Sequence, residues 1–187
     1  MNKISIFIMI LIFSQAIQDL PEFKLANETA EKLVEETKSV LMKAMAESGP
    51  EGAIEECSRI ALNIAKEKER DGWQVRRVSV KYRNPADKPD KYEEGILKEF
   101  EALRQKNELT SETLKAEVIQ EGDKKFLRYM KPIIIPGNMC LKCHGKETDI
   151  NPDIQKKLKQ LYPDDKATGY STGDLRGAVS IKIPLDR

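Results

Sequence analysis

The single histidine of this 187-residue chain follows directly on a pair of cysteines, in the run Cys140-Leu141-Lys142-Cys143-His144. Any fold built by this chain has to present two thiols and an imidazole side by side. Three chemistries use such a set. Two thiols at this spacing reach the two vinyl groups of a haem and form thioethers, and the next residue, a histidine, then lies under the iron as an axial ligand. The same pair could work as a redox dithiol, but such pairs usually open a helix in a thioredoxin-like βαβ context. Here Pro136, Gly137 and Asn138 point to a loop after a strand. Finally, Cys57, Cys140, Cys143 and His144 could hold zinc as a Cys3His set, although adjacent Cys143 and His144 would strain to serve one tetrahedral ion. The spacing therefore favours one covalent haem c, with Cys140 and Cys143 as thioether residues and His144 as the proximal iron ligand.

The opposite face of the iron needs a different residue type, because His144 is already used. Met42, Met45, Met130, Met139 and Cys57 are the soft candidates. Met139 adjoins Cys140 and is tied to the proximal side. Met42, Met45 and Met130 fit ordinary core or sheet positions, where methionine is a common gap-filler. Cys57 falls on a helix face with small and branched neighbours, which would let a flat macrocycle approach. The pattern alone leaves it between an iron ligand and a buried core thiol.

Hydrophobic periodicity divides the chain into an α+β domain. Residues 1–16 read as a signal peptide: Lys3 supplies a positive start, 4–13 is apolar, and Ser14-Gln15-Ala16 offers a cleavage site. That run is short for a bilayer span, although it could be retained as an anchor. With it removed, the mature protein is expected to be periplasmic or otherwise extracytoplasmic, with no stable membrane insertion. An odd cysteine count in an oxidising compartment then requires something to occupy or bury the leftover thiol.

Residues 17–48 form an N-terminal helical arm, with an amphipathic helix over 22–47 whose stripe is Leu25, Leu33, Val34, Thr37, Leu41, Ala44 and Met45. Gly49 and Pro50 break it and open a second helix over 50–69, striped by Ala53, Ile54, Cys57, Ile60, Ala61, Ile64 and Ala65. A strand is expected over 73–82, a loop over 83–89, and a helix over 91–107 with Tyr92, Ile96, Leu97, Phe100 and Leu103 on one side. Strands over 113–120 and 125–135 flank a turn, Asn151 and Pro152 start a short helix to Leu161, and a last strand covers 176–184. The sum is an antiparallel sheet of four or five strands faced by helices. Trp73 reads as core packing. The first helix could pair with a second copy of the chain or fold back on the sheet. Lys and Arg are interleaved with Asp and Glu at a net charge of +1, so the basic stripe of a nucleic-acid binder is missing.

Several dispersed stretches resemble the PAS-like c-type haem domains found in small cyanobacterial cytochromes and in extracytoplasmic sensor portions of bacterial signalling proteins. They are residues 49–57, residues 77–89 with Arg83-Asn84-Pro85, the 140–144 run, residues 162–170 and residues 173–178. The resemblance implies a PAS-like haem c domain over 49–187, with the iron between His144 and Cys57. A thiolate stabilises ferric iron, so this pair implies a low reduction potential. Two protein ligands also leave no vacant position for a substrate, which argues against an enzyme. A low-potential electron carrier with redox partner proteins of unknown identity is the first expectation. A redox or CO/NO sensor in which Cys57 dissociates is the second. Arg77, Arg83 and Arg176 could pair with haem propionates or stand as surface residues.

Overall fold

The structure, a computed structural model, describes residues 16–185; the side chains of 57–62 lie outside the description, as do residues 1–15 of the segment read as a signal peptide over 1–16. The chain opens with helix α1 (Pro21–Glu67), with a proline in its first turn where a missing N–H costs nothing. Gly49 interrupts it at φ 65°, ψ −172°, a region open essentially to glycine. The break expected at Gly49-Pro50 is present: two helical segments, taken together as α1, meet at a kink at Gly49.

Strand β1 (Gln74–Val78) follows, then helix α2 (Lys91–Gln105), strands β2 (Lys115–Glu121) and β3 (Lys124–Ile134), helix α3 (Asn138–His144), helix α4 (Pro152–Leu161) and strand β4 (Leu175–Pro184). The four strands form one antiparallel sheet in the order β1-β4-β3-β2. β1 is shorter than the 73–82 expected. Past Val78 the Ser79 N–H donates to the Asp87 carbonyl at 3.0 Å, so the chain pairs with its own returning loop. Val80, expected in the strand, is 58% exposed. The loop itself contains a 3-10 turn over Pro85–Asp87, where the Asn84 side chain accepts from the Ala86 N–H at 2.9 Å.

One sheet face packs on α1. Leu127 and Tyr129 of β3, Val179, Ile181 and Ile183 of β4, and Val75 of β1 meet Ala26, Ala30, Leu33, Ile64 and Ala65, with Trp73 at the margin. Trp73 is thus core, as its composition suggested. Tyr129 reaches α1 twice, packing edge-on against Phe23 and donating to Asn27 Oδ1 at 2.6 Å. The buried stripe differs from the one periodicity suggested: Ala26 and Ala30 touch the sheet, while Leu25 and Val34 are 40% and 39% exposed. Small residues let the helix lie close to the strands; Val34, Thr37, Leu41 and Met45 instead line a cavity.

The other sheet face carries α2, whose Ile96, Leu97 and Phe100 pack on Val78, Met130 and Ala178. Asp90 and Glu93 form a reciprocal cap, each side chain accepting from the other's backbone N–H at 2.7 Å. Arg128, buried in β3, donates to Asp90 Oδ2 at 2.9 Å and stacks on Tyr92. The chain thus orients the start of α2 by charge and the rest by apolar burial. Among the described residues no helix is long and apolar enough to cross a membrane.

Candidate functional site

The face of the sheet that packs on α1 opens at one end into a cavity of about 320 Å³, within the range of small-molecule pockets. α1 forms one wall through Val34, Leu41, Met45, Ala53 and Ile54, and the end of β3 forms another through Ile133 and Ile135. Cys140, Cys143 and His144 line it together. The run sits on α3, a seven-residue helix, rather than in the loop expected after β3. Gly137, in an extended conformation, turns the chain out of the strand, and Asn138 to His144 then close one short helix. The pair is thus helical, but the strands on either side of it, β3 and β4, run antiparallel, so the thioredoxin-like βαβ context of a redox dithiol is absent.

Each thiol is half-buried against its own apolar cluster. Cys140 packs with Ile135, Ala167 and Tyr170. Cys143 packs with Ile54 of α1 and with Ile150, Ile154 and Leu158, which dock α4 beside it. Burial pushes the Cys140 thiol up, and the Lys38 ammonium opposes that shift. Both thiols are thereby held half-buried in apolar surroundings.

His144 is the most strongly controlled side chain of the site. Its Nδ1 lies 2.7 Å from the Ala167 carbonyl oxygen. A carbonyl only accepts, so Nδ1 carries the proton and donates, and the lone pair resides on Nε2. Burial drives the imidazole pKa well below its usual value, and the Arg176, Arg83 and Arg77 guanidiniums lower it further against the opposing pull of Ala167. Tyr170 packs edge-on to the ring at 6.2 Å between centroids.

The segment bearing Ala167 is tied to α3 by main-chain bonds from Tyr170 N to His144 O at 3.0 Å and from Gly169 N to Gly145 O at 2.7 Å. Arg83 and Asp165 complete the clasp. Arg83 donates from Nε to Asp165 Oδ2 at 2.9 Å and from Nη2 to the Cys143 carbonyl at 2.6 Å. Asp165 Oδ1 accepts from the Ala167 N–H at 2.8 Å. Both side chains of the ion pair are nearly buried, at 12% and 11% exposure.

The structure thus brings Cys140, Cys143 and His144 to one cavity with Arg77, Arg83 and Arg176, for which a surface position is the simpler expectation from sequence. Cys57 falls in the second half of α1, and its side chain is outside the described residues. Of the methionines, Met45 and Met139 line the cavity, Met130 is buried under α2, and Met42 is 44% exposed. Among the described residues no three His, Cys, Asp or Glu side chains cluster as a metal site; Cys57, needed for a Cys3His set, is not among those side chains. Sequence reasoning missed Asp87, a buried carboxylate in the cavity wall, and the roles of Asp165, Ala167 and Tyr170. The last three lie in a stretch that carried the family resemblance, but no spacing rule marks a backbone carbonyl as a partner for histidine.

No curated protein matches the chain by sequence. Among solved structures, it resembles the cyanobacterial heme-protein Tll0287 with a TM-score of 0.60 and 24% identity, covering 90% of this chain and 98% of that one. The two share the α+β fold, an antiparallel sheet behind a long N-terminal helix. The sequence profile of the Tll0287-like family matches residues 20–184, and this chain belongs to that family.

Proposed function

We propose that this protein binds one haem, attached covalently through Cys140 and Cys143, with the iron held by His144 on one side and Cys57 on the other. It works as a low-potential electron carrier outside the cytoplasm. The observation that carries the reading is the hydrogen bond from His144 Nδ1 to Ala167 O at 2.7 Å. Metal-bound histidines characteristically donate their second ring nitrogen in this way, which fixes the tautomer and aims the other nitrogen at the metal. The donor set around it also fits the group: two thiols at haem c spacing, an apolar wall from α1 and β3, and guanidiniums suited to carboxylates. The likeness to a protein described as a heme-protein points the same way.

Haem, when bound, supplies one-electron oxidation and reduction at its iron. The chain's own residues hold and insulate it. Cys140 and Cys143 tether it, Ala167 and the Arg83–Asp165 clasp orient the imidazole, and Val34, Leu41 and Ile54 exclude water. His144 and Cys57 together would occupy the positions on the iron that a substrate needs, which favours a carrier over an enzyme. Export rests on the 1–16 segment read as a signal peptide.

The test is a visible spectrum and intact mass of the matured protein, with and without Cys57→Ala. A mass increment of one haem and a changed ligand field in the variant are expected. A colourless protein, or one holding zinc in equal amount, overturns the proposal. A carrier stays six-coordinate through repeated reduction, whereas ready binding of CO by the ferrous form would favour the sensor reading.

A further inference from the structure

Four cations line the cavity, Lys38, Arg77, Arg83 and Arg176, while Asp87 is the one carboxylate among its described lining residues. The guanidiniums weigh on one another: burial lowers the pKa of Arg176, and nearby Arg83 and Arg77 lower it further against Tyr170 and Asp87. Gathering like charges in a partly dry site is costly unless an anion joins them.

The three arginines are not equivalent. Arg83 is committed to the protein, bonded to Asp165, to the Cys143 carbonyl and, more loosely at 3.4 Å, to the Ala167 carbonyl. Arg77 and Arg176 keep most of their five N–H donors. Among the described residues Arg77 meets a carboxylate only at Asp87, 4.0 Å away and beyond hydrogen-bond reach. Arg176 donates from Nη1 to Lys81 O at a long 3.3 Å and lies over the Tyr170 ring.

Their positions are built in. Arg77 pairs with Val179 in the β1–β4 register, on the same face as Val75 and therefore on the cavity side. Arg176 precedes Gly177, where an added Cβ would stand 2.3 Å from the Val78 carbonyl oxygen. The absence of a side chain at Gly177 lets β4 press against β1 and brings the two guanidiniums to one wall. The Ser79 hydroxyl holds that junction, donating to Arg176 O at 2.7 Å.

We infer that Arg77 and Arg176 form a carboxylate-binding pair that receives the two propionate groups of the haem, while Arg83 is a positioning residue for the Cys143-His144 segment and does not bind the ligand. This rests on the haem reading above. A planar, forked guanidinium matches a carboxylate with two parallel bonds, which an ammonium does not reproduce.

The experiment uses the matured holoprotein and its Arg77→Gln, Arg176→Gln, Arg77→Lys, Arg176→Lys and Arg83→Gln variants. Arg70→Gln is the control, since Arg70 stacks on Trp73 and does not line the cavity. Haem per chain is measured first, as the pyridine haemochrome; wild-type protein without haem defeats the functional reading itself and the inference with it. On haem-loaded protein, resonance Raman reads the propionate bending bands and spectroelectrochemistry reads the midpoint potential.

Each Gln substitution at 77 and 176 should shift a propionate band and lower the potential, because a cation that favours the reduced state is lost. The Lys variants keep the charge and the fold, and should restore the potential but not the band. Arg83→Gln should leave the propionate bands in place. Bands in both Gln variants that coincide with wild type overturn the inference. So does a lowered potential without any change in the bands, since charge acts through space without contact.

Discussion

Asp165 holds two groups that bear on His144. One of its oxygens accepts from Arg83 and the other from the Ala167 N–H, and Ala167 in turn receives the imidazole proton. Asp165→Asn keeps an acceptor for Ala167 but leaves the nearly buried Arg83 charge without its counterion. Breaking one side of such a pair costs about 3 kcal/mol, so the urea midpoint of the variant should fall by the corresponding amount. Asp87 behaves in the opposite sense. Burial raises its pKa above the ordinary carboxylate value, against the pull of Arg77, Arg176 and Arg76. The folded state then binds a proton more tightly than the unfolded one, and stability from this group is present below the unfolded pKa and lost as pH rises through the folded pKa. Asp87→Asn should therefore be more stable than wild type at neutral pH, and the difference should vanish in acid. Denaturation curves at neutral pH and near pH 3.8, the unperturbed value for this carboxyl, will show whether the gap closes.

At the level of elements, the kink in α1 decides how one helix serves two purposes. Before Gly49 the helix lies on the sheet through Ala26, Ala30 and Leu33 and then lines the cavity; after it, Ala53 and Ile54 close the cavity toward α4. A residue with a Cβ at φ 65°, ψ −172° is strained by about 1–3 kcal/mol. Gly49→Ala should lower the thermal midpoint by that cost, or straighten the helix and displace its second half. Circular dichroism melting and the haem spectrum together distinguish the two outcomes, because under the ligation proposed for Cys57 only the second changes the iron's ligand field. α3 is the other element of consequence. At seven residues, with no side-chain cap at its N-terminus, it is too short to be stable alone. Its contacts with Ile54, Ile135, Tyr170 and the Arg83 clasp hold it.

Across the whole molecule, the sheet separates a face covered by α2 from the face that bears Cys140, Cys143 and His144. α2 covers one face with Ile96, Leu97 and Phe100, beside a second cavity of about 490 Å³ lined by Leu97, Glu101, Tyr170 and Arg176, and the opposite face is filled near its middle by α1 and left open at one end. The walls of that opening come from widely separated parts of the chain, so whatever fills it ties α1, α3 and the segment around Ala167 into one unit. Removing the proposed thioether anchors with the paired Cys140→Ser and Cys143→Ser substitutions should leave the sheet protected in hydrogen exchange. Exchange should speed up in residues 49–67 and 138–170, which close the cavity. Equal acceleration across β3 and β4 would mean that the cavity and the core unfold together.

Much of this arrangement was legible in local pattern. The break at Gly49-Pro50, the stripe of α2 and the cap at Asn151 are set by neighbours a few residues apart, and the 140–144 run carries its chemistry in its spacing. Other features depend on residues far apart in the chain. Periodicity did not distinguish the helix face that meets the sheet from the face that meets the cavity, since both are apolar. It also missed the end of β1 at Val78, which is set by Asp87 capturing Ser79, and the helical state of α3, which is set by packing. Thiols and imidazole are local chemistry, so the groups able to bind a cofactor could be read from the order of residues alone. How they are used depends on packing, which brings His144 to Ala167, Arg83 to Asp165, and Arg77 to Arg176 across more than twenty residues, where no local signal reaches.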